Sequence, residues 1–173
     1  MTHLPGPSRP PLHGPSPWSG ILVILAVFVG FGWNSAQEIT PRPLEGLMAL
    51  EIDLPGTHVV KGVEGVNFMV NYIALAEPRK DGKFAALGVY IGFDPSNFCK
   101  GSKARAGGPT AIGPWKVQWT DCPSAKTPDG LYRETHIAPG SGELRLHVFI
   151  SGNDPEEMDL LEEFARSLRP RKE

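Results

Sequence analysis

Cys99 and Cys122 are the only two cysteines of the chain. In an oxidising compartment a pair at this separation most simply closes one disulfide. The competing chemistry is a reactive thiol, with Cys122 beside Asp121 and a distant His136 as base, but no Cys-x-x-Cys spacing supports it. Between the cysteines runs Lys100-Gly101-Ser102-Lys103-Ala104-Arg105-Ala106-Gly107-Gly108. Cations among small, permissive residues can form a backbone nest for a phosphate or carboxylate, which makes Lys100, Lys103, Arg105, Gly107 and Gly108 the candidate anion site. The Gly-Lys-Ser/Thr ending of a phosphate-binding loop is missing, and a solvated loop is the plain alternative.

The histidines His3, His13, His58, His136 and His147 show no ligand spacing on a shared helix, so neither a metal centre nor a cofactor is expected. His136 and His147 fall on strands predicted to be adjacent, where they can face each other as a titrating or metal-binding pair. Trp115 and Trp119 share one strand face. They are a candidate aromatic surface for a ligand, with core packing as the default. Glu156, Glu157, Glu162 and Glu163 sit at helix spacings that suit capping and solvation rather than a convergent acid and base pair. No residue is assigned a catalytic role.

The elements that must position these residues follow from periodicity. Leu47 to Asp53 reads as a strand closed by Leu54-Pro55-Gly56. Val66 to Leu75 sets Phe68, Val70 and Tyr72 against Asn67, Met69 and Asn71, and Lys83 to Phe93 places Val89, Ile91 and Phe93 on one face, the two joined as a hairpin through Arg79-Lys80-Asp81-Gly82. Gly88 and Gly92 leave the opposite face thin, open to another backbone or a helix. Ile112 to Thr120 and Leu131 to Ile137 alternate as strands with a polar face. The latter sets Tyr132, Glu134 and His136 against Leu131, Arg133 and Thr135. Glu143 to Ile150 puts Leu144, Leu146, Val148 and Ile150 together. Antiparallel sheet is the natural assembly.

One helix is well specified. Asp154-Pro155-Glu156-Glu157 supplies an N-cap, a proline at the first helical position and a carboxylate three residues on. Met158, Leu161, Phe164, Ala165 and Leu168 then form an apolar stripe, with Asp159, Glu162, Glu163 and Arg166 toward water, and Pro170 stops the helix. The fold class is α+β, an antiparallel sheet packed by a C-terminal amphipathic helix.

Four segments organise the 173 residues. Residues 1–17 are a Pro-rich arm expected to be disordered, 18–33 an anchor or signal segment, 34–45 a linker and 46–173 a single α+β domain. The segment Trp18 to Trp33 holds no charge and spans roughly 24 Å as a helix, short of the roughly 30 Å bilayer core but tolerable with flanking residues and local thinning, with a Trp at each end. Ala36 preceded by Asn34 is a poor cleavage site, which favours a retained single-pass anchor over a removed signal. Arg9 is the only charged residue before this segment, so the remainder sets 16 basic against 19 acidic residues. That balance argues against a nucleic-acid partner.

A last strand feeding an amphipathic helix that ends Phe164-Ala165-Arg166-Ser167-Leu168 resembles the layout of the PsbP-like and DcrB-like families. The resemblance implies a small exported or membrane-tethered accessory protein without catalysis of its own, and it carries over no site residues. The expected role is thus an extracytoplasmic accessory or binding module, held at the membrane by Trp18 to Trp33, with a protein or small-ligand partner. A small exported hydrolase or thiol enzyme, using loop residues near Cys122 and His136, is the alternative.

Overall fold

The computed structural model describes residues 38–101, 103–124 and 129–172. The Pro-rich arm, the Trp18 to Trp33 segment and the Ala36 cleavage question lie outside the described residues. Among the described residues no helix is long and apolar enough to cross a membrane.

The chain runs β1 (Ile39–Leu44), β2 (Leu50–Pro55), β3 (His58–Glu64), β4 (Phe68–Leu75), β5 (Ala85–Gly92), β6 (Arg105–Ile112), β7 (Trp115–Pro123), β8 (Leu131–Ile137), β9 (Arg145–Gly152), α1 (Pro155–Arg166) and β10 (Arg169–Pro170). Seven strands form one antiparallel sheet in the order β3-β4-β5-β9-β8-β7-β6, and β1-β2-β10 form a second, smaller one. This is the α+β architecture that the periodicity predicted, with one helix after the last long strand. The stretch expected as a linker is different: Ile39–Leu44 pairs with β2. Pro41 and Pro43 do keep it extended, and they are tolerated because β1 is an edge strand.

The helix packs on β5 and β9 and also touches β2 and β6. Pairing of Leu87 with Ile150, Val89 with Val148 and Ile91 with Leu146 sets six fully buried aliphatics on one face of the large sheet. Met158, Leu161, Phe164 and Ala165 close over them from the helix, Leu168 adds to them from beyond the C-cap Ser167, and Leu50, Ile52 and Leu54 complete the core from β2. Each larger side chain so buried contributes on the order of 1.5–3 kcal/mol.

Polar side chains tie this assembly at its margins. Asp154 caps the helix, accepting from the Glu157 amide at 3.5 Å, and is itself paired with Arg79 at 3.1 Å. Glu157, expected at a solvated capping position, has its carboxylate buried against His58 Nε2 at 2.8 Å. Asp159 and Glu162, expected to face water, both accept from Arg133 on β8, which also holds Asp121 on β7. Beyond the helix, Arg169 donates to Glu51 and Asp53, both at 2.8 Å, and fastens β10 to β2.

Two faces read from alternation come out altered. Asn71 lies fully buried on the inner face of β4, where it exchanges two hydrogen bonds with the Glu45 main chain, while Phe68 and Tyr72 occupy the outer face. Among the described residues, it is a side chain rather than a backbone or helix that comes closest over Gly88. The Phe149 ring lies there, where a β-carbon would collide with it, and Phe68 and Tyr90 likewise close over Gly92.

Candidate functional site

The outer face of the large sheet carries the chemistry. Strand register sets Thr120, Glu134, Phe149, Gly88 and Tyr72 in one row across β7, β8, β9, β5 and β4, and His136, His147, Tyr90 and Val70 in the next. His136 lies directly opposite His147, as the strand adjacency predicted. Their rings stack at 4.3 Å between centroids with 9° between planes. Glu134, two residues from His136 on the same face, was not singled out in the sequence as a site residue.

Glu134 is the hub. Its carboxylate has only acceptors, so the 2.8 Å contact to His147 fixes the tautomer in which His147 Nε2–H donates to Oε2. The Phe98 amide donates to the same oxygen at 3.0 Å, and the Cys99 amide donates to Oε1 at 2.8 Å. Glu134 is 2 % and His147 1 % exposed, so these bonds are made away from water and are stronger for it. Burial by itself would raise the Glu134 carboxyl, but the bonds from His147, Phe98 and Cys99 outweigh it and hold the group below the usual glutamate range. His136 reaches solvent at its edge, but its ring is partly covered, and that desolvation, reinforced by His147, holds the imidazole below its usual range.

The loop that follows β5 is therefore latched to the sheet at two points. Glu134 grips its backbone at Phe98 and Cys99. The Cys99–Cys122 disulfide, expected from the sequence, joins the same place to β7, with α-carbons 5.4 Å apart. Phe98 lies over the sheet between the two, against Tyr132, His147 and Phe149 with centroid separations of 5.2–5.3 Å. Beside this latch opens a cleft of about 840 Å³, lined by Asn97 and Cys99 of the loop, Thr110 of β6, Lys116, Gln118 and Thr120 of β7, and Glu134 and His136 of β8.

Other candidates fare differently. Cys122 is in the disulfide and no free cysteine remains, so the thiol alternative lacks its nucleophile. Trp119 is 3 % exposed within the core and Trp115 packs against that core, because their strand face is the one turned toward the helix. They make no aromatic surface. Exposed aromatic rings among the described residues are instead Phe68, Tyr72, Phe84, Phe93 and Phe98. The anion-loop residues do not converge. Arg105, Gly107 and Gly108 belong to β6, where the register shifts between Ala106 and Pro109. Lys103 and Arg105 border one cavity beside Asp121, Gly107 and Gly108 border another beside Arg133 and Glu162, and exposed Lys100 lines neither.

Acidification should read out the histidine stack. In the folded domain His136 takes its proton at lower pH than in the unfolded chain, so stability is expected to fall as pH drops from about 6.5 through the folded value. The groups around it are His147, Glu134 and, across the cleft, Lys116. The contribution of Glu134 is present above the ordinary glutamate value and lost only as pH falls through its lowered one, a separate window. Thermal unfolding of His136→Asn should show a shallower loss between neutral and mildly acidic pH than the parent. An identical loss would remove His136 as its source.

No family model matches the chain, and neither a similar curated protein nor a similar solved structure was found.

Proposed function

We propose that this protein is an extracytoplasmic binding or accessory module, tethered by Trp18 to Trp33, that receives its ligand or partner in the cleft beside Glu134 and His136. The observation that carries this reading is the Cys99–Cys122 bond, because it bears on compartment and site together. A disulfide persists where the surroundings are oxidising, and this one holds the loop that forms a wall of the cleft. The uncharged N-terminal run supports the tether, and the likeness of the last strand and helix to PsbP-like and DcrB-like proteins supports an accessory role. A hydrolytic reading would use Glu134 to orient His147, yet His147 is 1 % exposed and lies beneath Phe98, out of a substrate's reach.

The test uses the full-length chain expressed in a bacterium, with thiols blocked before lysis. Cys99 and Cys122 should be recovered bonded, the chain should sediment with membranes, and protease added to spheroplasts should digest the domain while intact cells protect it. A photoreactive residue at Gln118 should capture a ligand or partner that one at Glu163, on the solvent side of the helix, does not. Reduced cysteines with a protected domain would overturn the location, and equal capture at both positions would overturn the cleft. Replacing both cysteines by serine should lower stability by about 3 kcal/mol, as the entropy of a loop of this length requires.

A further inference from the structure

We infer that Glu134, His136 and His147 form a binding site for a divalent transition-metal ion of the zinc type, which names a ligand class for the cleft and rests on reading that cleft as a binding site. Each of the three offers one ligand atom, and these atoms lie within 4.8 Å of one another. Donors around a tetrahedral zinc stand about 3.3 Å apart, as bonds of about 2.0–2.1 Å require. The contact between His147 Nε2 and Glu134 Oε2, at 2.8 Å, has only to open slightly for an ion to replace the shared proton, which then moves to the other ring nitrogen of His147.

Two donors are already fixed and one is free to close. Glu134 is held by the Phe98 and Cys99 amides, the supporting bonds that orient a ligating carboxylate. His147 is packed between the His136 and Phe98 rings. His136 is exposed at the cleft, so its ring can leave the stack, turn its nitrogen toward the other two and admit the ion from solvent. Two imidazoles and a carboxylate suit zinc, cobalt, nickel or copper rather than calcium or magnesium, whose preferred ligands are all oxygen. The fourth position would face the cleft, beside Lys116, where a water or an anionic group can complete the shell.

The experiment titrates the untagged full-length chain in detergent, stripped with chelator, with Co²⁺ as the spectroscopic probe and Zn²⁺ as competitor. The expected result is one Co²⁺ per chain with the intense visible absorption of a tetrahedral nitrogen and oxygen shell, displaced by equimolar Zn²⁺. His136→Ala, at an exposed position that should leave the fold intact by circular dichroism, should weaken binding by at least about tenfold. In the parent, Zn²⁺ should also perturb the ring resonances of His136 and His147 together. Unchanged affinity in His136→Ala, weak octahedral absorption only, or resonance shifts confined to other histidines would each overturn the metal site. The localisation and Gln118 capture results do not depend on added metal, so failure here leaves the wider reading to stand or fall separately.

Discussion

Glu134→Ala is expected to lower the unfolding free energy by about 3–5 kcal/mol, the range seen when one partner of a buried charged pair is removed. Three donors lose their acceptor at once: His147 Nε2 and the amides of Phe98 and Cys99. Each is poorly placed to recruit water, because Phe98 covers the site and His147 is enclosed. The damage should be local as well as global. Hydrogen exchange at the Phe98 and Cys99 amides should accelerate far more than at the β5 and β9 amides, and the disulfide, having lost the support of Glu134 beside it, should become easier to reduce. A loss under about 1 kcal/mol in urea unfolding, with unchanged exchange at those two amides, would show that the carboxylate is not the hub described.

Phe164→Ala should cost a similar amount, about 3–5 kcal/mol, for a different reason. Phe164 is a buried member of the helix stripe and stands edge-on to His58 at 5.0 Å, just where the His58 to Glu157 bond crosses from β3 to the helix. Removing the ring leaves a cavity and uncovers that polar pair. In thermal unfolding the loss should appear as a drop on the order of 10 °C. Glu163→Ala, one position away on the exposed side, should stay within about 0.5 kcal/mol. Equal melting temperatures for the two variants would mean that the helix does not dock through this stripe.

The elements with a single strong period were legible. Leu146, Val148 and Ile150 alternate cleanly because one side of β9 meets the helix and the other an aromatic layer, and Asp154-Pro155 announces the helix start through capping chemistry alone. β1 and β6 were not legible, since prolines in one and Ala, Gly and Pro in the other carry no apolar alternation, and pairing at a sheet edge imposes little on side chains. β3 was missed for a related reason: its Val59 and Val63 are exposed at the opposite edge. Asn71 shows where period and polarity part company, because the sequence reveals the two-residue repeat but not that a loop main chain waits inside to satisfy an amide.

Of the site, the facing histidines were readable from adjacent strands. Glu134 could have been found by the same logic, as the second polar residue on the His136 side of β8. Its role was hidden because two of the donors it holds are backbone amides of a distant loop, which leave no mark in residue type. The tryptophans misled in the opposite direction. Large aromatics signal burial or binding equally well, and only the side of the sheet taken by the helix decides between them.

The smaller sheet joins opposite ends of the domain, with β10 lying against β2 and Arg169 reaching Glu51 and Asp53 across 118 and 116 positions. That arrangement sets an order of events during biosynthesis. The seven long strands can be made before the helix and β10 exist, but their aliphatic face is covered only in part, from β2, until the helix adds Met158, Leu161, Phe164 and Ala165. Most strand pairs join sequence neighbours, but β5 with β9 and β2 with β10 bring distant segments together, which is slow, and a partly covered apolar sheet invites aggregation while the chain is growing. The helix and β10 are thus the pieces that finish the cover, and a chain stopped before Pro155 would leave the aliphatic residues of β5 and β9 partly bare.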